Sequence, residues 1–148
     1  MKAGVIAVML AGSVSVAQAA TCYRSDEIEA DQAVRFQTQL MVLSDSCGST
    51  SYTQFTHRNA STLAAYQEKM IGYFRRISGR GADSAFDRFI TSLANKTALD
   101  AGREPIAALC TRSADFLTKA EGFDREGFMH YVVEQAAAQR GNYQTCKD

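Results

Sequence analysis

Proline and histidine are scarce: Pro105 is the one proline in 148 residues, and His57 and His130 are the two histidines. Proline-poor sequence without apolar–polar alternation excludes a strand-and-turn architecture, and apolar residues instead recur every three and four positions, the period of helices. The sequence has no G-x-S-x-G elbow and no C-x-x-C pair. It therefore lacks the arrangements that a hydrolase nucleophile, a structural zinc or a redox dithiol uses. Neither sign of charge is in excess, since sixteen Lys plus Arg balance sixteen Asp plus Glu. That balance removes the footprint of a general nucleic-acid binder or a polybasic membrane binder. Hydrophobic residues at 46% and charged residues at 22% suffice for a core, so disorder is not expected.

What is present begins with Met1-Lys2, an apolar run through Val16 and an A-x-A exit at Ala17-Gln18-Ala19. This is the layout of a cleaved signal peptide over residues 1–19, and the run is shorter than the roughly 20 residues that hold a helix across a bilayer. Residues 20–148 then form a single helical domain, periplasmic or secreted, with no membrane span after cleavage. Ala19, Ala20 and Thr21 before Cys22 make a poor lipidation box.

The four cysteines, Cys22, Cys47, Cys110 and Cys146, are an even set in an exported chain and read as two disulfides. A continuous first helix of about 20 residues is a rod of roughly 30 Å, which keeps Cys22 and Cys47 apart. Of the two remaining connectivities, Cys22–Cys110 with Cys47–Cys146 is favoured, on the expectation that Cys47 and Cys146 lie in loops at one end.

The expected fold is all-α, a compact bundle of about five helices with two disulfides. The first helix is capped by Ser25 and runs to about Ser44, with Ile28, Val34, Leu40, Met41 and Leu43 inward. The second carries a seam through Tyr52, Phe55, Leu63, Tyr66, Met70 and Tyr73. Asn59 either interrupts that seam or caps a shorter helix starting near Ala60. Asp83 caps a third helix that ends at Gly102, with Phe86, Phe89, Ile90 and Leu93 on one stripe. Pro105 opens a fourth helix through about Ala120, with Leu109, Ser113, Phe116 and Leu117 inward. Asp124 caps the fifth, with Phe128, Met129, Val132, Val133 and Ala136 inward.

Residues 36–42 (FQTQLMV), 73–76 (YFRR) and 87–95 (DRFITSLAN) resemble recurring blocks of an uncharacterised family of small exported alphaproteobacterial helical proteins. The resemblance spans about residues 22–110. It implies export and a helical fold, and no activity, ligand or site residue.

The densest basic group is Arg75, Arg76 and Arg80, with Arg88 one element on, beside a glycine turn. These residues are candidates for binding an anion or an acidic partner face, against capping and ion pairs with Asp83 and Asp87. Asn59, Tyr66 and Asn95, with Thr91 and Lys96, are candidates for a polar groove between helices. Met129-His130 beside Met41 or Met70 has the ligand types of a copper site, although methionines at helical spacing are ordinarily core. The carboxylates Asp26, Glu27, Glu29 and Asp31, like Glu121, Asp124 and Glu126, suit a helix N-terminus and a solvated face better than a paired-acid glycosidase. No cofactor and no metal is expected.

The resulting expectation is a non-catalytic binding or scaffolding module whose partner is a periplasmic or envelope protein, not nucleic acid. The alternative is a small-ligand carrier or enzyme with a polar site between helices. Phe36 and Phe123, off the drawn stripes, are candidates for an exposed apolar patch, the mark of a protein partner.

Overall fold

A computed structural model describes residues 21–147, and the expected signal peptide lies outside the described residues. Five helices carry the fold: α1 (Ser25–Ser46), α2 (Ser51–Ser78), α3 (Ala82–Ala101), α4 (Ile106–Gly122) and α5 (Arg125–Gln139). Short 3-10 turns follow α2 and α5. Among the described residues, the extended pairing is one isolated parallel bridge, Tyr23 with Thr145. No helix among the described residues is long and apolar enough to cross a membrane.

Helix α1 packs against all four other helices. A central helix is buried on several faces at once, so its inward set is wider than one stripe. Ala30, Ala33 and Phe36 are buried beside Ile28, Val34, Leu40 and Leu43, while Met41 is only half-buried. Phe36 is the centre of the aromatic core, not part of a surface patch. Its ring meets those of Phe55, Phe116, Phe123, Phe128 and Tyr131 at centroid distances of 5.1 to 5.8 Å. Phe123 is buried in the same cluster. Edge-on and tilted ring pairs of this kind add attraction beyond the area they bury.

Arg24, not Ser25, caps α1, and the Glu27 carboxylate accepts the Arg24 backbone N–H at 2.8 Å. Asn59 caps nothing. It forms a kink inside α2 with φ −109° and ψ 16°, and its amide donates at 3.1 Å to the carbonyls of both Phe55 and Phe123. The kink thus ties α2 to the turn between α4 and α5. Gly81 precedes α3, and Asp83 lies within its first turn. The α3 stripe of Phe86, Phe89, Ile90 and Leu93 is half-buried, because this helix lies at the edge of the bundle. Pro105 caps α4, where Leu109, Ser113 and Leu117 are buried as expected. The Asp124 carboxylate caps α5, accepting the Gly127 N–H at 2.8 Å.

Both disulfides form, but in the other pairing: Cys22–Cys146 and Cys47–Cys110, with Cα atoms 4.8 and 5.6 Å apart. The reason is the course of α4. Cys110 in its first half bridges Cys47, and Glu121 near its end accepts the Ser51 hydroxyl at 2.6 Å, so α4 lies across the end of the bundle that carries the α1–α2 turn. Helix α5 starts there and runs back along α1, delivering the tail to Tyr23. The Tyr23 N–H donates to Gln144 O at 2.8 Å and the Cys146 N–H to Tyr23 O at 3.0 Å, which places Cys146 beside Cys22. Two disulfides fit a non-cytoplasmic protein.

Candidate functional site

The expected arginine cluster does not converge. Arg76 turns inward, where its guanidinium donates to the buried Glu27 carboxylate and to Cys22 O, and lies 5.3 Å from the Tyr73 ring centroid. Arg75 reaches out toward Glu68 at 3.9 Å, and Arg80 and Arg88 are exposed. The acidic start of α1 also differs from a solvated face, since Glu27 and Asp31 are buried. Arg35 Nε donates to Asp31 at 2.6 Å, and Tyr143 OH donates to the same oxygen while accepting from Gln32. Tyr23 stacks on Tyr73 at 4.2 Å and meets Tyr143 edge-on at 5.0 Å. Burial, then Asp31, pushes the Tyr143 hydroxyl up to about 12, and burial with Tyr73 moves Tyr23 upward as well. This cluster joins the two ends of the described chain; its charged groups pair with one another, and the remaining Asp31 oxygen, Oδ1, is buried without a hydrogen-bond partner.

Nor do Asn59, Tyr66 and Asn95 share a groove. Asn59 is spent on the kink, and Asn95, Thr91 and Lys96 are exposed residues of α3. Met70 is core, while Met129 and His130 are exposed. Among the described residues, no three His, Cys, Asp or Glu side chains gather as a metal site. His57 is exposed, and His130 has Glu134 at 3.7 Å.

Several clefts lie between the helices, one of them of about 440 Å³ between α1, α2 and α3 with Asp87 as its charged residue, and two others carry charges of both signs. The one between α1, α3 and α4, about 400 Å³, is lined by Arg35, Lys96 and Arg112 over Leu43 and Leu109. Each cation there already has an anion: Arg35 with Asp31 at 2.6 Å, Lys96 with Asp100 at 2.7 Å, and Arg112 with Glu104. A ligand would have to break those pairs to use them.

The second cleft, about 290 Å³, lies between α1, α2 and α5 and includes Tyr66, one of the expected polar residues. Glu29 from α1, Thr62, Tyr66 and Lys69 from α2, and Arg125 and Met129 from α5 line it. Lys69 has Asp26 at 3.6 Å. Glu29 and Arg125 have no ion-pair partner among the described residues. Thr62 is 7% exposed and its hydroxyl has no hydrogen-bond partner. Other helix threonines differ: Thr38, Thr56, Thr97 and Thr111 each donate to the carbonyl four residues back, at 2.8 to 2.9 Å. For Thr62 that carbonyl belongs to Arg58, the residue before the non-helical Asn59. Burial, with the Glu29 carboxylate nearby, raises the Tyr66 hydroxyl above the usual tyrosine range and keeps it a donor.

This cleft opens onto a shallow groove that shares Arg125 and Met129 and continues to Val133. Met129 and Val133, expected inward, are 41% and 48% exposed, while Phe128, Val132 and Ala136 hold the core side of α5. Successive helical residues lie about 100° apart, so neighbours of core positions readily point out. Sequence reading passed over Thr62 and Arg125. The spacing of Thr62 and Tyr66, one helical turn apart, was the available signal.

The chain matches no known family model, no curated protein and no solved structure.

Proposed function

We propose that this protein is an exported, non-catalytic helical binding module whose binding site is the cleft between α1, α2 and α5. One observation carries the reading: Glu29 and Arg125, opposite charges with no ion-pair partner among the described residues, line one cleft beside exposed methionine and valine. Opposite charges left without ion pairs at the walls of one cleft are suited to a polar ligand. The site lacks a nucleophile paired with a base, which favours binding over turnover.

Export to the periplasm rests on the A-x-A exit after the apolar run, the two disulfides and the resemblance to small exported helical proteins. Mass spectrometry of chain recovered from the periplasm should find an N-terminus at Ala20; retention of residues 1–19 in a cytoplasmic pool would contradict export. For the site, an NMR fragment screen should give shifts clustered at Thr62, Ala65, Tyr66 and Met129. Shifts clustered instead at Leu43, Leu93 and Leu109 would move the site to the other cleft, and chemical conversion of bound fragments would overturn a non-catalytic role.

A further inference from the structure

The geometry points to a small zwitterion with an apolar side chain, a free amino acid or dipeptide, as the ligand of the α1–α2–α5 cleft; this rests on the binding-module reading. Glu29 and Arg125 are opposite charges on different walls of one cleft, and they are not closed into a salt bridge with each other or with any other described residue. A ligand carrying one charge leaves one of them unmatched. A ligand carrying an ammonium and a carboxylate matches both, with charge-assisted hydrogen bonds at each end.

The neutral donors fit the same ligand. Tyr66 lines the cleft with a hydroxyl that no described protein group takes, while the Thr62 hydroxyl is enclosed behind the wall and reaches a ligand only after a side-chain rotation. Between and beyond the charges the walls are apolar, with Ala65 and Met129 in the cleft and Val133 on the groove that extends it. An aliphatic side chain of the ligand lies along that strip. A volume of about 290 Å³ is at the small end of ligand pockets and admits an amino acid or dipeptide, not a cofactor.

The test is titration of the mature, oxidised protein at neutral pH, followed by NMR at the cleft residues. The probes are leucine, leucyl-leucine, leucinamide, N-acetylleucine and the doubly capped N-acetylleucinamide. The zwitterions should bind about tenfold or more tightly than either singly capped compound, since each cap removes one charge-assisted contact. Glu29→Gln should weaken leucine and leucinamide but leave N-acetylleucine unchanged, and Arg125→Gln should weaken leucine and N-acetylleucine but leave leucinamide unchanged. This crossed pattern distinguishes charge matching from a general loss of structure. If N-acetylleucinamide shifts the cleft resonances as strongly as leucine, the zwitterion assignment falls and the binding cleft stands. If no probe shifts them at up to about 10 mM, corresponding to less than about 3 kcal/mol of binding, both fall.

Discussion

The meeting of the ends of the described chain and the α1–α2–α5 cleft are both polar regions set against the same central helix, and they differ in how they pair their charged groups. At the chain ends Glu27 takes Arg76 and the Arg24 N–H, and Asp31 takes Arg35 and Tyr143. The Cys22–Cys146 bridge closes over them. In the cleft Glu29, only two residues from each of those carboxylates, has no ion-pair partner among the described residues, while each region keeps one buried oxygen without a hydrogen bond, Asp31 Oδ1 at the chain ends and the Thr62 hydroxyl in the cleft. Acidic residues in one run of sequence thus divide between holding the fold and facing a cleft, and helix phase makes the division. Glu27 and Asp31, four apart, share one face, while Glu29 is about 200° around the helix from each.

The difference predicts opposite responses to mutation, and the largest effect should come from the chain ends. Replacing Cys22 and Cys146 by serine opens a closure with a sequence separation of 124. In the chain-entropy model that costs about 4 to 5 kcal/mol, read as a fall in urea-unfolding free energy. A loss of only about 1 kcal/mol would mean that the hydrogen bonds alone fasten the tail. Next in size is Arg76→Met, which strands the buried Glu27 carboxylate and should cost about 3 kcal/mol by the same measurement. If that variant is as stable as the parent, the pair is not a structural one.

Alkali should act on the same region. The Tyr143 value near 12 lies above its unfolded value of 10.0, so the folded chain holds this proton more tightly. The stability that the hydroxyl contributes is complete below pH 10 and is lost as pH rises through 12. Tyr23 shifts in the same direction. Tyr143→Phe should therefore flatten the fall in stability above pH 10, as read by urea unfolding across that range. An unchanged slope would remove Tyr143 from the cause. The smallest expected changes lie in the cleft, where Met129→Ser or Val133→Ser should alter stability by less than about 0.5 kcal/mol.

How far the sequence revealed this arrangement depends on how many neighbours each element has. Helices α4 and α5 touch the core along narrower faces, so buried Leu109, Leu117, Phe128 and Val132 follow from spacing and the Asp124 cap from residue type, whereas Met129 and Val133, next to core positions, point out. Helix α1 defeats such reading because four helices surround it, so Phe36 and Asp31 are buried off the apolar stripe. The disulfide pairing depends on α4 staying at one end of the bundle, a tertiary fact with no local signature. Of the expected site residues, Tyr66 lines the cleft. Asn59 instead forms the kink three residues before Thr62, and nothing in residue type distinguishes that role from a ligand contact.

The division between the two regions is tested most directly by the urea-unfolding free energy of Thr62→Val. If the hydroxyl serves no protein partner, exchanging it for a methyl group should leave stability unchanged or raise it by up to about 1 kcal/mol. A loss of about 1 kcal/mol or more would show that the fold itself uses the hydroxyl, and would contradict a cleft whose polar groups are held for a ligand.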